Sequence, residues 1–264
     1  MSRNTIKTLQ HKKETQHPIV MLTCYDASFA RLAELAGVDI LLVGDSLGMV
    51  VQGHETTVPV TLSDMVYHAA SVARASRQAM VIADMPFMSY ATPEQAVQHA
   101  AHLMQAGGAQ MVKLEGGAVL IPTVEHLTER GIPVCAHLGL LPQSIHQLGS
   151  YQVQARAAHA AEQLLHEAQQ LQAAGAQLLV LECIPQALAE QVSRSLDIPV
   201  IGIGAGPDTD GQVLVLYDVI GISANRIPRF AHNFLAETNS VADAIAAYAS
   251  AVHERRFPTA QHSF

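Results

Sequence analysis

Hydrophobic positions along this chain gather into short unbroken runs, and most runs stop at a polar residue. The clearest is Ile40-Leu-Leu-Val-Gly-Asp45-Ser46-Leu-Gly48. A short apolar run of this kind fits a strand buried on both faces, as in a parallel sheet covered by helices. Ala36-Gly37-Val38-Asp39 precedes it, with Gly37 where a helix would end. The unit reads helix, glycine stop, buried strand, acid at the strand's C-terminal end. It returns where Gly107-Gly108 leads into Met111-Val-Lys113-Leu-Glu115, and where Gly175 leads into Leu178-Leu-Val-Leu-Glu182. Val81-Ile-Ala-Asp84 ends in the same way without the glycine lead.

Taken in order, the pattern predicts a short helix from Thr5 to about Thr15, a strand over 19–25, and a helix over 27–36 capped by Asp26. The strand at Ile40 follows, then a long connection from Val50 to Pro59, of a length often found in functional lids. Further strands are expected at Met80–Asp84, Met111–Glu115, Ile132–Leu138, Leu178–Glu182 and Pro199–Gly204, with a weaker eighth at Gln212–Asp218. Helical patterns separate them, and a last helix spans Val241–Val252. Gly139 to Gln154 reads as a second long loop. Eight strands alternating with helices in 264 residues favour one (β/α)8 barrel over residues 1–264, with an N-terminal and a C-terminal helix. A doubly wound open sheet is the alternative.

Composition narrows the classes. Charged residues make up only 14% of the chain and the net charge is −8, which argues against a nucleic-acid surface and against an anionic membrane. Low charge with many alanines points to surface buried between subunits. Cys24, Cys135 and Cys183 read as reduced, core-packing thiols of a cytoplasmic protein. No apolar leader and no run of membrane-spanning length is present in the sequence.

The chemistry lies in the strand-end acids Asp45, Asp84, Glu115 and Glu182. Any one alone reads best as a cap or turn residue. Together at one barrel rim they repel unless protons or a cation offset them. Oxygen-only ligands suit a hard ion, so Mg2+ is the first expectation. Lys113 and Glu115 are two apart and share a face; they either neutralise the rim as a pair or clamp an anionic substrate. His137 ends the fifth strand, and its structural and functional readings weigh equally. The other histidines read as surface. Gly202-Ile-Gly204-Ala-Gly206 looks like a phosphate loop but fails the dinucleotide spacing, so tight turns are the better reading.

Several stretches together resemble the ketopantoate hydroxymethyltransferase family over nearly the whole length. They are 23–26 (TCYD), 43–49 (VGDSLGM), 62–68, 83–90 (ADMPFMSY), 112–116 (VKLEG), 137–140 (HLGL) with Pro142-Gln143, 179–183, 201–206, 210–215 and Asn233-Phe234. The resemblance implies a (β/α)8 barrel in a large homo-oligomer, a decamer. It implies hydroxymethyl transfer from 5,10-methylenetetrahydrofolate to 3-methyl-2-oxobutanoate in pantothenate biosynthesis. It further implies Mg2+ at Asp45, Asp84 and Glu115, oxo-acid contacts from Asp45, Ser46, Asp84 and Lys113 with His137 beside them, and Glu182 as proton acceptor. Two alternatives differ in class: another Mg2+-dependent 2-oxo acid aldolase or lyase, and a catalytically silent barrel used for assembly. Ser150 and Ala155 stand where the family usually has glycine, so a stiffer loop is expected. Ser223–Arg226 also replaces common glycines.

Overall fold

The structure is a computed structural model that describes residues 3–223 and 227–264. Of the Ser223–Arg226 departure, residues 224–226 therefore lie outside the described residues.

Helix α1 (Ile6–Glu14) starts at Thr5, whose hydroxyl accepts from the Thr8 amide. Strand β1 (Ile19–Thr23) leads to α2 (Ala27–Leu35), which Asp26 caps by accepting from the Ser28 and Phe29 amides. Then come β2 (Ile40–Val43), the short α3 (Leu47–Val50) and α4 (Leu62–Ala75), which opens with a Thr61–Asp64 capping box. β3 (Met80–Asp84), α5 (Pro93–Gln105), β4 (Met111–Glu115), α6 (Ile121–Thr128) and β5 (Val134–Gly139) continue the alternation. The second half holds α7 (Ile145–Leu148), α8 (Ala158–Ala173), β6 (Leu178–Glu182), α9 (Gln186–Ser195), β7 (Val200–Ile203), β8 (Gly211–Leu214), α10 (Leu216–Val219) and α11 (Val241–His253).

All eight strands pair in parallel and in chain order, and β8 closes on β1. This excludes the open doubly wound sheet. Seven strands are buried at every residue or all but one, and β8 at all four, so their apolar runs do not alternate. Gly37 and Gly175 end their helices at φ +83° and +101°, a left-handed conformation that glycine enters without Cβ strain.

The N-terminal end of the barrel is closed by α1. Leu9 is buried there, Lys12 pairs with Asp39 at 2.6 Å, and Lys13 with Asp210 at 2.7 Å. Helix α11 covers β1 and β8, and the buried Tyr248 hydroxyl lies 2.8 Å from the Met21 carbonyl. The site therefore opens at the other, C-terminal end.

Three expectations change. The eighth strand is shorter than 212–218, because the Leu216 amide donates to the Thr23 hydroxyl (2.9 Å) and turns the chain into α10. The long connection from Val50 starts inside α3 and is tied down by buried Thr57 and Val60. His68 and His99 are not free surface groups: each places Nδ1 2.6 Å from a loop carbonyl, of Tyr25 and Ser89 respectively.

Candidate active site

Strand register decides which side chains meet. Asp84 on β3 is level with Lys113 on β4, and Glu115 is level with His137 on β5. Glu182 ends β6 level with Gly139, a partner without a side chain. Asp45 follows β2 by two residues, and its amide donates to Asp84 Oδ2 at 3.1 Å. The four acids so collect at one rim, and Lys113 lies among them.

Lys113 Nζ is 2.7 Å from Asp84 Oδ1 and 3.6 Å from Glu115 Oε1. Both readings of Lys113 keep their basis, since the ammonium neutralises Asp84 and still faces the rim. Burial disfavours its charge, but Asp84, Glu115 and Asp45 reverse that and hold its pKa above the ordinary lysine value. Asp45 shows the opposite balance. Burial, then Asp84 and Glu115, push its pKa well above the usual carboxylate range. Burial also pushes Glu115 up, yet His137 and Lys113 pull it below its ordinary value.

His137 sits between two acids. Nδ1 is 3.4 Å from Glu115 Oε1 and Nε2 is 3.4 Å from Glu182 Oε2. Neither ring nitrogen makes a hydrogen bond of good geometry, so these contacts are ionic. Burial and Lys113 push the imidazole down, but the two carboxylates outweigh them and lift it to about 9. Glu182 is the only one of the four acids that is not buried: its side chain keeps 14% exposure. Cys183, directly after it, has φ +48°, a strained value for a non-glycine residue. Backbone bonds fix that turn from both sides, Cys183 N to Ile203 O and Gln154 N to Cys183 O, each 2.8 Å.

Ser46 lies at the start of α3, with Oγ 2.9 Å from the buried Tyr25 hydroxyl. Gly44 leaves room there: a Cβ would stand 2.8 Å from Ser46 Oγ and 3.5 Å from Asp84 Oδ2, so the Ser46 hydroxyl would have to shift. All seven residues singled out in the sequence thus belong to one rim cluster. Sequence reading missed Tyr25, Tyr90 and Gln143 as members. The only signal for them was membership of the quoted stretches, because neither spacing nor charge marks a tyrosine or glutamine as a site residue.

The donor set fits a hard divalent cation. Four carboxyl groups face one ammonium and one imidazolium, so acids outnumber cations, and the strain falls on Asp45, whose charged form is disfavoured by burial and by Asp84 and Glu115. Among the described residues no three His, Cys, Asp or Glu side chains are spaced to enclose an ion directly. Mg2+ commonly takes one or two carboxylates and completes its shell with water and substrate oxygens, which such an arrangement permits. In the glycine-rich segment after β7, Gly204 and Gly206 take left-handed φ values of +60° and +80°. The three cysteines are free and buried, as expected.

A parallel barrel whose polar cluster sits at the C-terminal ends of its strands is the layout of a TIM-barrel enzyme. The comparisons identify which one. The family model for ketopantoate hydroxymethyltransferase matches residues 3–260, and the chain belongs to that family. It is 58% identical to the 3-methyl-2-oxobutanoate hydroxymethyltransferase of Shewanella loihica and 56% identical to that of Nitrosococcus oceani, each over 264 residues and 100% of both chains. Solved structures share the fold at low identity. One is 2,3-dimethylmalate lyase of the PEP mutase/isocitrate lyase superfamily (TM-score 0.56, 19% identity, 79% of this chain and 80% of that one). Another is phosphonopyruvate hydrolase in complex with oxalate and Mg2+ (TM-score 0.62, 12% identity, 81% of each chain). The protein is therefore a transferase acting on a small molecule, and family membership supports the reaction that forms ketopantoate. No described helix is long and apolar enough to cross a membrane.

Proposed function

We propose that this chain transfers a hydroxymethyl group from 5,10-methylenetetrahydrofolate to 3-methyl-2-oxobutanoate through a Mg2+-assisted enolate, with Glu182 as the base. The observation that carries this reading is the single open acid, Glu182, facing a buried cluster of Asp45, Asp84, Lys113, Glu115 and His137. Asp45, Asp84 and Glu115 would hold the ion, partly through water. Bound there, it would supply Lewis acidity toward the keto and carboxylate oxygens of the oxo acid.

The chain's own residues account for the rest. Lys113 stays cationic and offers charge to the substrate carboxylate. Ser46 can donate its hydroxyl to the same group, with the Tyr25 hydroxyl donating to Ser46 Oγ behind it. Glu182 is open to substrate and takes the proton from C3. His137 bridges Glu182 to Glu115 and so fixes the base against the acid cluster. Surrounding burial keeps bulk water from the nascent carbanion. We place the reaction in the cytoplasm and in a homo-oligomer, a decamer as the family resemblance implies. The free buried thiols and the low surface charge support this.

The test is formation of 2-dehydropantoate with and without methylenetetrahydrofolate and Mg2+, joined to proton exchange at C3. Wild type should exchange the C3 proton with solvent only when Mg2+ is present. Glu182→Gln should still bind the oxo acid and lose at least about 100-fold in exchange rate. Undiminished exchange in that variant would remove Glu182 from the role.

A further inference from the structure

Gln143 is fully buried beneath the acid cluster, in the 3₁₀ turn Pro142–Ser144 that follows β5. It makes four contacts. Its Nε2 donates to Asp45 Oδ2 and to the Met85 carbonyl, both at 2.9 Å. Its backbone amide donates to Glu115 Oε2 at 3.0 Å. Its Oε1 accepts from the Tyr90 hydroxyl at 2.5 Å.

The amide orientation is forced. A carboxylate and a carbonyl can only accept, so the NH2 end must face Asp45 and Met85. The oxygen end then needs a donor, and Tyr90 supplies its single proton. Tyr90 in turn accepts from the Glu115 amide at 3.3 Å, which closes a ring of bonds through Gln143, Tyr90 and Glu115, with Asp45 joined to it at Gln143 Nε2. A residue with one hydrogen bond would be filler. Gln143 instead donates to two carboxylates, through Nε2 to Asp45 and through its backbone amide to Glu115, while Met85 and Tyr90 hold the side-chain amide in place.

The geometry points to Gln143 as a positioning residue that sets the spacing of Asp45 and Glu115, and with it the affinity of the rim for a divalent cation. This inference rests on the functional reading above and deepens it. It also links the site to the long loop after β5, since that loop is pinned at one end by Gln143 and at the other by the Gln154 amide on Cys183.

Gln143→Met preserves length and volume but deletes the side-chain donors and acceptor. Mg2+ affinity is read by calorimetry on the full chain, and Mn2+ is used as a paramagnetic probe. The variant is expected to bind Mg2+ about 10- to 100-fold more weakly, as for other outer partners of metal ligands. Its Mn2+ electron paramagnetic spectrum should broaden or split differently from wild type. A space-filling role alone would leave both readouts at wild-type values, and that result overturns the inference. If Gln143→Met does not fold, Tyr90→Phe carries the test. It removes the proton that holds the amide, and unchanged Mg2+ affinity together with an unchanged Mn2+ spectrum would equally overturn the inference. Wild type is the reference for the functional reading. If it neither binds Mg2+ nor exchanges the C3 proton, that reading fails and the positioning role falls with it. If it does both while the variant binds Mg2+ equally well, only the positioning role fails.

Discussion

At the scale of single residues, the site depends on close approach as much as on charge. The missing side chain of Gly44 leaves the space beside Ser46 Oγ and Asp84 Oδ2 that a methyl group would enter. Gly44→Ala should turn the Ser46 hydroxyl away from its position and raise KM for the oxo acid about tenfold, the loss of roughly one hydrogen bond. Steady-state kinetics would show it, and an unchanged KM would contradict the contact. Ala155 shows the converse. It is held at φ +53°, a left-handed value for a residue with a Cβ. The left-handed cost for a residue with Cβ is about 1–2 kcal/mol, partly offset because alanine restricts the unfolded chain. Ala155→Gly should therefore raise unfolding stability by up to about 1 kcal/mol in a denaturant titration. A lower midpoint would mean that the alanine methyl packs for more than its strain. Of the two loop positions, Ala155 adopts a left-handed backbone and Ser150 does not.

At the scale of elements, the barrel floor holds α1 to β1 and β2 through one carboxylate. Asp39 accepts from Lys12 with both oxygens at 2.6 Å and from the Val20 amide at 3.0 Å. Burial pushes Asp39 up, but His253, Lys12 and Val20 outweigh burial and hold its pKa below the ordinary aspartate value. A carboxylate with a depressed folded pKa adds stability above its unfolded pKa and loses it as pH falls through the folded one. Asp39→Asn should therefore cost about 1–3 kcal/mol near neutral pH. The difference from wild type should shrink toward zero as the solution is taken below the folded pKa. Thermal melts of both proteins across that acid range would measure it, and a penalty independent of pH would assign the loss to packing instead. The rim at the opposite end shows why such anchoring matters. Asp84, Lys113, Glu115 and His137 meet through strand register alone, so any slip of β3, β4 or β5 would separate the partners.

At the scale of the whole molecule, several large apolar side chains lie on the outer face. Leu35, Tyr67 and Val119 are exposed at 86%, 69% and 81%. The proposed homo-oligomer would bury such residues against other copies. Light scattering should return a multiple of the 28.2 kDa chain mass, and a monomeric mass would contradict it. Much of this protein is legible in the chain itself. Unbroken apolar runs specify strands buried on both faces, and helix caps and glycine stops depend only on local backbone chemistry. The acids at the strand ends were visible for the same reason, because a polar residue closing an apolar run is a one-dimensional signal. The eighth strand was overextended because Val215-Leu216-Tyr217 looks like strand locally, while its end is set by a hydroxyl 193 residues away, on Thr23. His68 and His99 lay on helices and gave no hint of the carbonyls they would reach. Gln143, Tyr90 and Tyr25 carry no charge, so nothing in composition or spacing marks them. Sequence by itself determined which residues would be buried, where strands stop and which acids end them, since those follow from neighbours along the chain. Tertiary structure alone decided which acid faces which cation, which carboxylate stays open and what holds the others apart, because closing the barrel sets those distances between residues far apart in sequence.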